Sequence, residues 1–269
     1  MKQIIRLSIF TILISVLAIS NILAQNKTFA SYEVVEFEFQ GHNAKIVFPE
    51  NANKEKYWIW RARFWGHEPQ TDLALLEKGF HVVYVDVAGL FGNSEAVNLW
   101  NDYYDYLIEE YNLNTKVVLE GMSRGGLIIY NWASANTDKV FCIYADAPVC
   151  DIKSWPGGLY NGKGSPADWT KCLEVYNLDK NTVLKFKDIP INNAVKVAKA
   201  GIPVFHVCGA ADKVVPYNEN TKLLADNFRN AGGKIEVILK EGVGHHPHSL
   251  KDPKPIVDFI LKNTSDKNK

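Results

Sequence analysis

The sequence predicts an α/β fold organised around a mostly parallel sheet. Short apolar runs at residues 57–60, 81–87, 116–119, 140–145, 204–207 and 235–239 read as strands buried on both faces. Stretches of helical period separate them, and such alternation is what crossover-linked parallel strands require. The connection between the runs at 140–145 and 204–207 is about sixty residues long, roughly twice what one crossover needs, so an insertion is expected there.

Taken in chain order, Lys2 and Arg6 precede an apolar run at residues 7–19 that ends near the small residue Ala24. The run is shorter than the roughly 20 residues of a spanning helix and reads as a secretory signal peptide over residues 1–24. An uncleaved anchor is the other reading of the same run. Cleavage places the chain in the periplasm or outside the cell, with residues 25–269 as a single domain and no stable membrane insertion.

Residues 32–40 alternate apolar and polar side chains, and residues 44–48 repeat the pattern after Gly41-His42-Asn43, which suggests an antiparallel entry to the sheet. A short helix is expected at 73–76. Val97, Trp100, Tyr104, Leu107, Ile108 and Tyr111 form one helical face with Ser94 as N-cap, and this aromatic stripe reads as core. Further helices are expected at 127–133, 218–228 and 255–261. The insertion begins Trp155-Pro156-Gly157-Gly158-Leu159-Tyr160, a turn-forming composition. A small cap over about residues 150–200, following the sixth predicted strand, would bring Trp155 and Tyr160 beside a pocket at the C-terminal edge of the sheet.

Composition narrows the function. A chain of 269 residues with 47% hydrophobic and 22% charged content is an ordinary globular protein. Thirty basic residues balance thirty acidic ones, so charge recommends neither nucleic acid nor an anionic membrane as partner. Cys142 and Cys208 lie in strand-like runs as buried thiols. Cys150 and Cys172 flank the Gly-rich segment and are the better disulfide candidates in an exported protein, although pairing does not follow from sequence. No dinucleotide fingerprint, phosphate loop or H-E-x-x-H motif is present, and His245-His246-Pro247-His248 is too compact along the chain to read as a metal site. Neither cofactor nor metal is expected.

One constellation carries chemistry. Gly121-Met122-Ser123-Arg124-Gly125-Gly126 follows a predicted strand and opens a predicted helix, which is G-x-S-x-G in its strand–turn–helix setting. A serine hydroxyl needs a base, and the base needs a carboxylate to hold its tautomer. Both follow downstream, Asp212 in Gly209-Ala210-Ala211-Asp212 after one strand and His245 in Gly242-Val243-Gly244-His245 after the last. Asp146 is an alternative acid and His246 an alternative base. The remaining histidines, His67, His81 and His206 among them, read as structural.

From about residue 57 to 261 the chain resembles the α/β-hydrolase superfamily, in which three loops supply nucleophile, acid and base in this order. Carried over residue by residue, the resemblance implies Ser123, Asp212 and His245, on a central sheet with helices on both faces. It is similar to compact secreted esterases and to the catalytic domains of prolyl-oligopeptidase-like enzymes, and Ser-Arg-x-Gly also resembles the elbow of glucuronoyl esterases. The implied reaction is serine hydrolysis through an acyl-enzyme. A carbohydrate esterase acting on acetyl or uronate esters is the leading expectation, a serine peptidase the nearest alternative, and an inactive ligand-binding hydrolase fold the third. The first oxyanion donor is expected at the Arg124 amide. The second comes from the loop after the strand at 57–60, where Trp60-Arg61-Ala62-Arg63-Phe64-Trp65 replaces the family's His-Gly-Gly, so Arg61 and Ala62 both stand as candidates. Trp60, Trp65 and Trp155 suggest a sugar-stacking pocket edge, and Arg63 a contact to a substrate carboxylate. Arg61 and Arg63 as structural ion pairs is the alternative.

Overall fold

The computed structural model describes residues 27–265. The segment read as a signal peptide, residues 1–24, lies outside the described residues. A nine-stranded sheet runs β1 (Lys27–Phe29), β2 (Tyr32–Phe39), β3 (His42–Val47), β5 (His81–Val85), β4 (Trp58–Arg61), β6 (Val117–Met122), β7 (Val140–Asp146), β8 (Val204–Gly209) and β9 (Ile235–Lys240) across its width. The first four in this order pair antiparallel and the rest parallel. β1 is three residues long, too short to leave a periodic signal.

The helices are α1 (Gln70–Leu76), α2 (Ser94–Tyr111), α3 (Gly125–Ala135), α4 (Pro166–Val175), α5 (Thr182–Lys185), α6 (Pro190–Lys199), α7 (Thr221–Asn230) and α8 (Lys254–Thr264). Alternation along each strand divides the core in two. Trp58, Trp60, Val83, Leu119 and Ile143 face α2, α3, α6 and α7, whereas Ile59, Val82, Val118 and Cys142 face α1 and α8. The inner parallel strands are therefore buried on both faces, while β2 alternates because one of its faces is half exposed. Among the described residues no helix is long and apolar enough to cross a membrane.

Several expectations are corrected. The N-cap of α2 is Asn93, whose side chain accepts from the Ala96 amide at 3.0 Å, and Ser94 is the first helical residue. Trp60 is fully buried and stacks on Trp100 at 3.8 Å, so it belongs to the core and forms no pocket edge. Trp65 packs on Phe29 and Tyr84 at 4.9 and 5.5 Å, which commits its ring to the antiparallel flank of the sheet. All four cysteines are unpaired and buried. Cys150 makes its contact to the Pro148 carbonyl, and Cys172 sits toward Arg124, so the expected bridge between them does not form. Burial raises the pKa of each thiol and so disfavours the thiolate.

The long connection between β7 and β8 divides into two parts. Helix α6 packs between α3 and α7 as the crossover helix, leaving residues 151–189 as the additional segment. Hydrogen bonds anchor that segment on two sides. Glu219 accepts from the Ser154 hydroxyl and the Asn161 amide, both at 2.7 Å, and the Lys163 amide donates to the Lys213 carbonyl at 2.7 Å. On the other side the Tyr176 hydroxyl donates to Phe91 O at 2.9 Å and Asn93 Nδ2 to Val175 O at 2.8 Å.

Candidate active site

Strand β6 runs into α3 through a turn too tight for side chains at its flanks. A Cβ on Gly121 would lie 2.5 Å from Ile129 Cδ1, and one on Gly126 2.6 Å from Pro148 Cβ. Between them Ser123 adopts φ 49°, the left-handed region that L-residues rarely occupy, and the strain projects its hydroxyl beyond the strand ends. Its amide is tied to Asp146 O at 2.8 Å.

The acid and histidine loops meet backbone to backbone. A Cβ on Gly209 would lie 2.1 Å from the Gly244 carbonyl oxygen, so only glycine permits this approach. The contact brings Asp212 and His245 together. Asp212 Oδ1 accepts from the Val214 and Val215 amides at 2.8 and 2.9 Å, and Oδ2 bonds His245 Nδ1 at 2.7 Å. A carboxylate only accepts, which puts the imidazole proton on Nδ1 and leaves the Nε2 lone pair for Ser123 Oγ at 3.0 Å. The structure thus joins the three side chains named from the sequence in one hydrogen-bonded chain. Asp146 is engaged elsewhere, through Oδ1 to His248 Nδ1 at 2.5 Å and Oδ2 to the Ser249 amide at 2.7 Å.

A family model described as the prolyl oligopeptidase family matches residues 69–266, most of the chain. The chain belongs to the prolyl oligopeptidase family. Family membership accords with the mostly parallel sheet. Solved structures give the same fold. Pyrococcus horikoshii acylaminoacyl peptidase is 15% identical over 88% of this chain and 43% of its own, with a TM-score of 0.66. A Mycobacterium tuberculosis puromycin-hydrolyzing peptidase is 13% identical over 85% of this chain and 38% of its own (TM-score 0.65), and Porphyromonas gingivalis dipeptidyl peptidase 4 is 15% identical over 86% and 35% (TM-score 0.64). The chain spans about two-fifths of the length of these structures. None of the curated proteins matches it.

In this prolyl oligopeptidase domain the loop after β4 departs from the expectation for the oxyanion donors. Arg61 lies inside β4 with 1% of its side chain exposed, and its guanidinium bonds Asp72 at 2.5 Å, Glu120 at 3.1 Å and the carbonyls of Phe64 and His67. The Ala62 amide continues the sheet ladder to Glu120 O at 2.9 Å. Neither residue offers a free amide, because the strand pairing extends one residue farther than its apolar pattern. The Arg63 amide is the next in line. It lies 3.6 Å from where a Gly125 Cβ would stand, and among the described residues neither it nor the Arg124 amide has an acceptor.

Beside Ser123, Arg63, Val87, Phe91, Arg124 and Gly125 wall a small depression. The Arg124 guanidinium lies 4.9 Å from the rings of both Phe91 and Trp155 and 3.4 Å from Asp168. Burial lowers its pKa, Asp168 opposes that shift and Arg63 adds to it, which places the two guanidinium groups near each other. Trp155 is therefore at the site as expected, while the Tyr160 hydroxyl is engaged by Asp151 at 3.2 Å with its ring exposed. Phe91 and Asp168 were missed because nothing in their local sequence sets them apart. A wider depression of about 520 Å³ opens at the opposite end of the strands, around Lys116, Pro203 and Lys234, far from this chemistry.

Proposed function

We propose that the chain is a serine hydrolase that cleaves amide bonds of short peptide-like substrates through an acyl-enzyme on Ser123. The Ser123–His245–Asp212 hydrogen-bonded chain carries the reading. Ser123 Oγ attacks the carbonyl carbon as His245 Nε2 takes its proton, Asp212 stabilises the imidazolium, and the amides of Arg124 and Arg63 receive the oxyanion. His245 then protonates the leaving amine, and water releases the acyl group by the same steps. The family's description and the peptidase names of the similar structures support amide over ester bonds. Export under the leader at residues 1–24 belongs to the same proposal.

The two arginines favour a substrate bearing negative charge. Arg63 and Arg124 both border the depression beside Ser123, and their positive charge is what a substrate carboxylate would meet there. The same feature keeps an ester of an acidic sugar as the second reading, with Trp155 as its stacking surface. The test is a panel of neutral and acidic peptide anilides, acetyl esters and methyl uronates on purified protein beside Ser123→Ala. We expect cleavage of acidic peptide anilides, turnover lower by on the order of 10⁴-fold in Ser123→Ala, and fluorophosphonate labelling of Ser123 alone. Uronate ester cleavage with inert peptides would favour the second reading, and labelling of another serine would defeat both.

A further inference from the structure

Four imidazoles gather where the histidine loop crosses the end of the sheet, and acyl transfer uses one of them. The ligand nitrogens of His245, His246 and His248 all lie within 4.8 Å of one another. Their rings meet edge to face, with centroids 5.1 Å apart for His245–His246 and 4.7 Å for each of the other two pairs. The His67 ring stands 6.1 Å from His246 and 5.8 Å from His248. Lys240 holds the turn in shape by donating to the Pro247 and Ser249 carbonyls at 2.7 and 2.9 Å.

Two of these rings are prepared as ligands. His248 Nδ1 bonds the buried Asp146, just as His245 Nδ1 bonds Asp212, so each keeps its lone pair on Nε2. A carboxylate behind an imidazole is the arrangement that orients histidine toward a metal and raises its basicity. Asp146 is itself fixed by the Ser249 amide. His246 is exposed and supplies a third nitrogen through side-chain rotation. Three imidazoles at this spacing need shifts of about an ångström to close on an ion at roughly 2.0–2.1 Å. A donor set of nitrogens alone selects zinc, nickel or copper over magnesium or calcium.

The geometry points to an inhibitory site for a zinc-class divalent ion on His245, His246 and His248, with His67 or water completing the coordination. The inference rests on His245 being the catalytic base. Its Nε2, 3.0 Å from Ser123 Oγ, is the nitrogen an incoming ion takes. Coordination there occupies the lone pair that would accept the serine proton, so turnover stops while the fold is kept. The step is reversible and transfers no electrons.

The test titrates zinc chloride into chelator-treated full-length protein, following heat of binding and hydrolysis of p-nitrophenyl acetate in parallel. The expected result is one zinc per chain, activity lost in proportion to occupancy and restored by EDTA. His246→Gln should weaken binding by at least on the order of 10-fold, as loss of even an outer-shell partner does, with metal-free hydrolysis unchanged. Ser123→Ala should bind zinc at least as tightly, since no hydroxyl competes for His245. Absence of binding in both wild type and Ser123→Ala, or inhibition that His246→Gln leaves unchanged, overturns the proposal. A chain without any hydrolysis that still binds zinc through His246 would keep the metal site and sink the hydrolase reading instead.

Discussion

Replacing Arg61 with methionine removes the cation from a cluster with almost no access to water. Asp72, Arg61 and Glu120 expose 0%, 1% and 2% of their side chains. Without the guanidinium, Asp72 remains beside Glu120 in a dry pocket, a change that costs about 3–5 kcal/mol when one partner of a buried pair is lost. The Phe64 and His67 carbonyls also lose their donors, at about 1 kcal/mol each. Glu120 moderates this sum, because burial and Asp72 already raise its pKa and it takes up a proton readily. A net loss of about 4 kcal/mol remains, on the order of 10 °C in melting temperature for a domain of this size. Thermal and urea unfolding followed by circular dichroism measure it. A variant combining Arg61→Met with Asp72→Leu and Glu120→Met should recover most of the loss, since apolar replacement of a whole buried cluster is often neutral. If Arg61→Met melts within about 3 °C of wild type, the cluster does not support the loop as argued.

Two further outcomes follow from the backbone contact and from a buried histidine. Gly209→Ala places a methyl group 2.1 Å from the Gly244 carbonyl oxygen, which must move by about an ångström and carry His245 with it. Turnover should fall on the order of 10²-fold with modest change in stability, and unaltered kcat would show that the two loops do not set the acid–base spacing. Full burial lowers the His206 pKa to about 3, below the unfolded value of about 6.5. The neutral ring therefore stabilises the fold fully above about pH 6.5, and the contribution declines as pH falls toward 3. Urea unfolding should show about 2 kcal/mol lost from this group between pH 8 and 5, a slope that His206→Gln removes.

Sequence reasoning reached those parts of the molecule whose signal is local. Strand and helix periods come from burial on one or two faces, so β4 to β9 and helices α1, α2, α3, α7 and α8 were legible, as was the elbow at Ser123 with its flanking glycines, whereas α4 and α6 inside the long connection were not. Asp212 and His245 were legible because each follows a strand end in a loop of glycines. What failed depended on distant partners. Arg61 and Ala62 were open to an oxyanion role because nothing local shows that the ladder to β6 runs on past residue 60, or that Asp72 and Glu120 on α1 and β6 claim the Arg61 guanidinium. Trp60 and Trp65 carry no mark distinguishing a core ring from a pocket ring. Asp146 and His248 are more than a hundred residues apart, and only the crossing of β7 and the histidine loop brings them into contact. The Cys150–Cys172 expectation failed for a related reason, since flanking a segment in sequence does not place two side chains face to face.

The anchoring of residues 151–189 governs how substrate reaches Ser123. A lid that swings open, as on many hydrolases, must pivot without disturbing the loops beneath it. Here Ser154 and Asn161 are fastened to Glu219, and Lys163 to Lys213, the residue next to Asp212. Swinging the segment away would drag the carboxylate that orients His245 and dismantle the base at the moment of entry. The segment is thus tied to the same loop that carries Asp212. On the proposed function, selectivity would then fall to the shape and charge of an opening bordered by Arg63, Arg124 and Trp155.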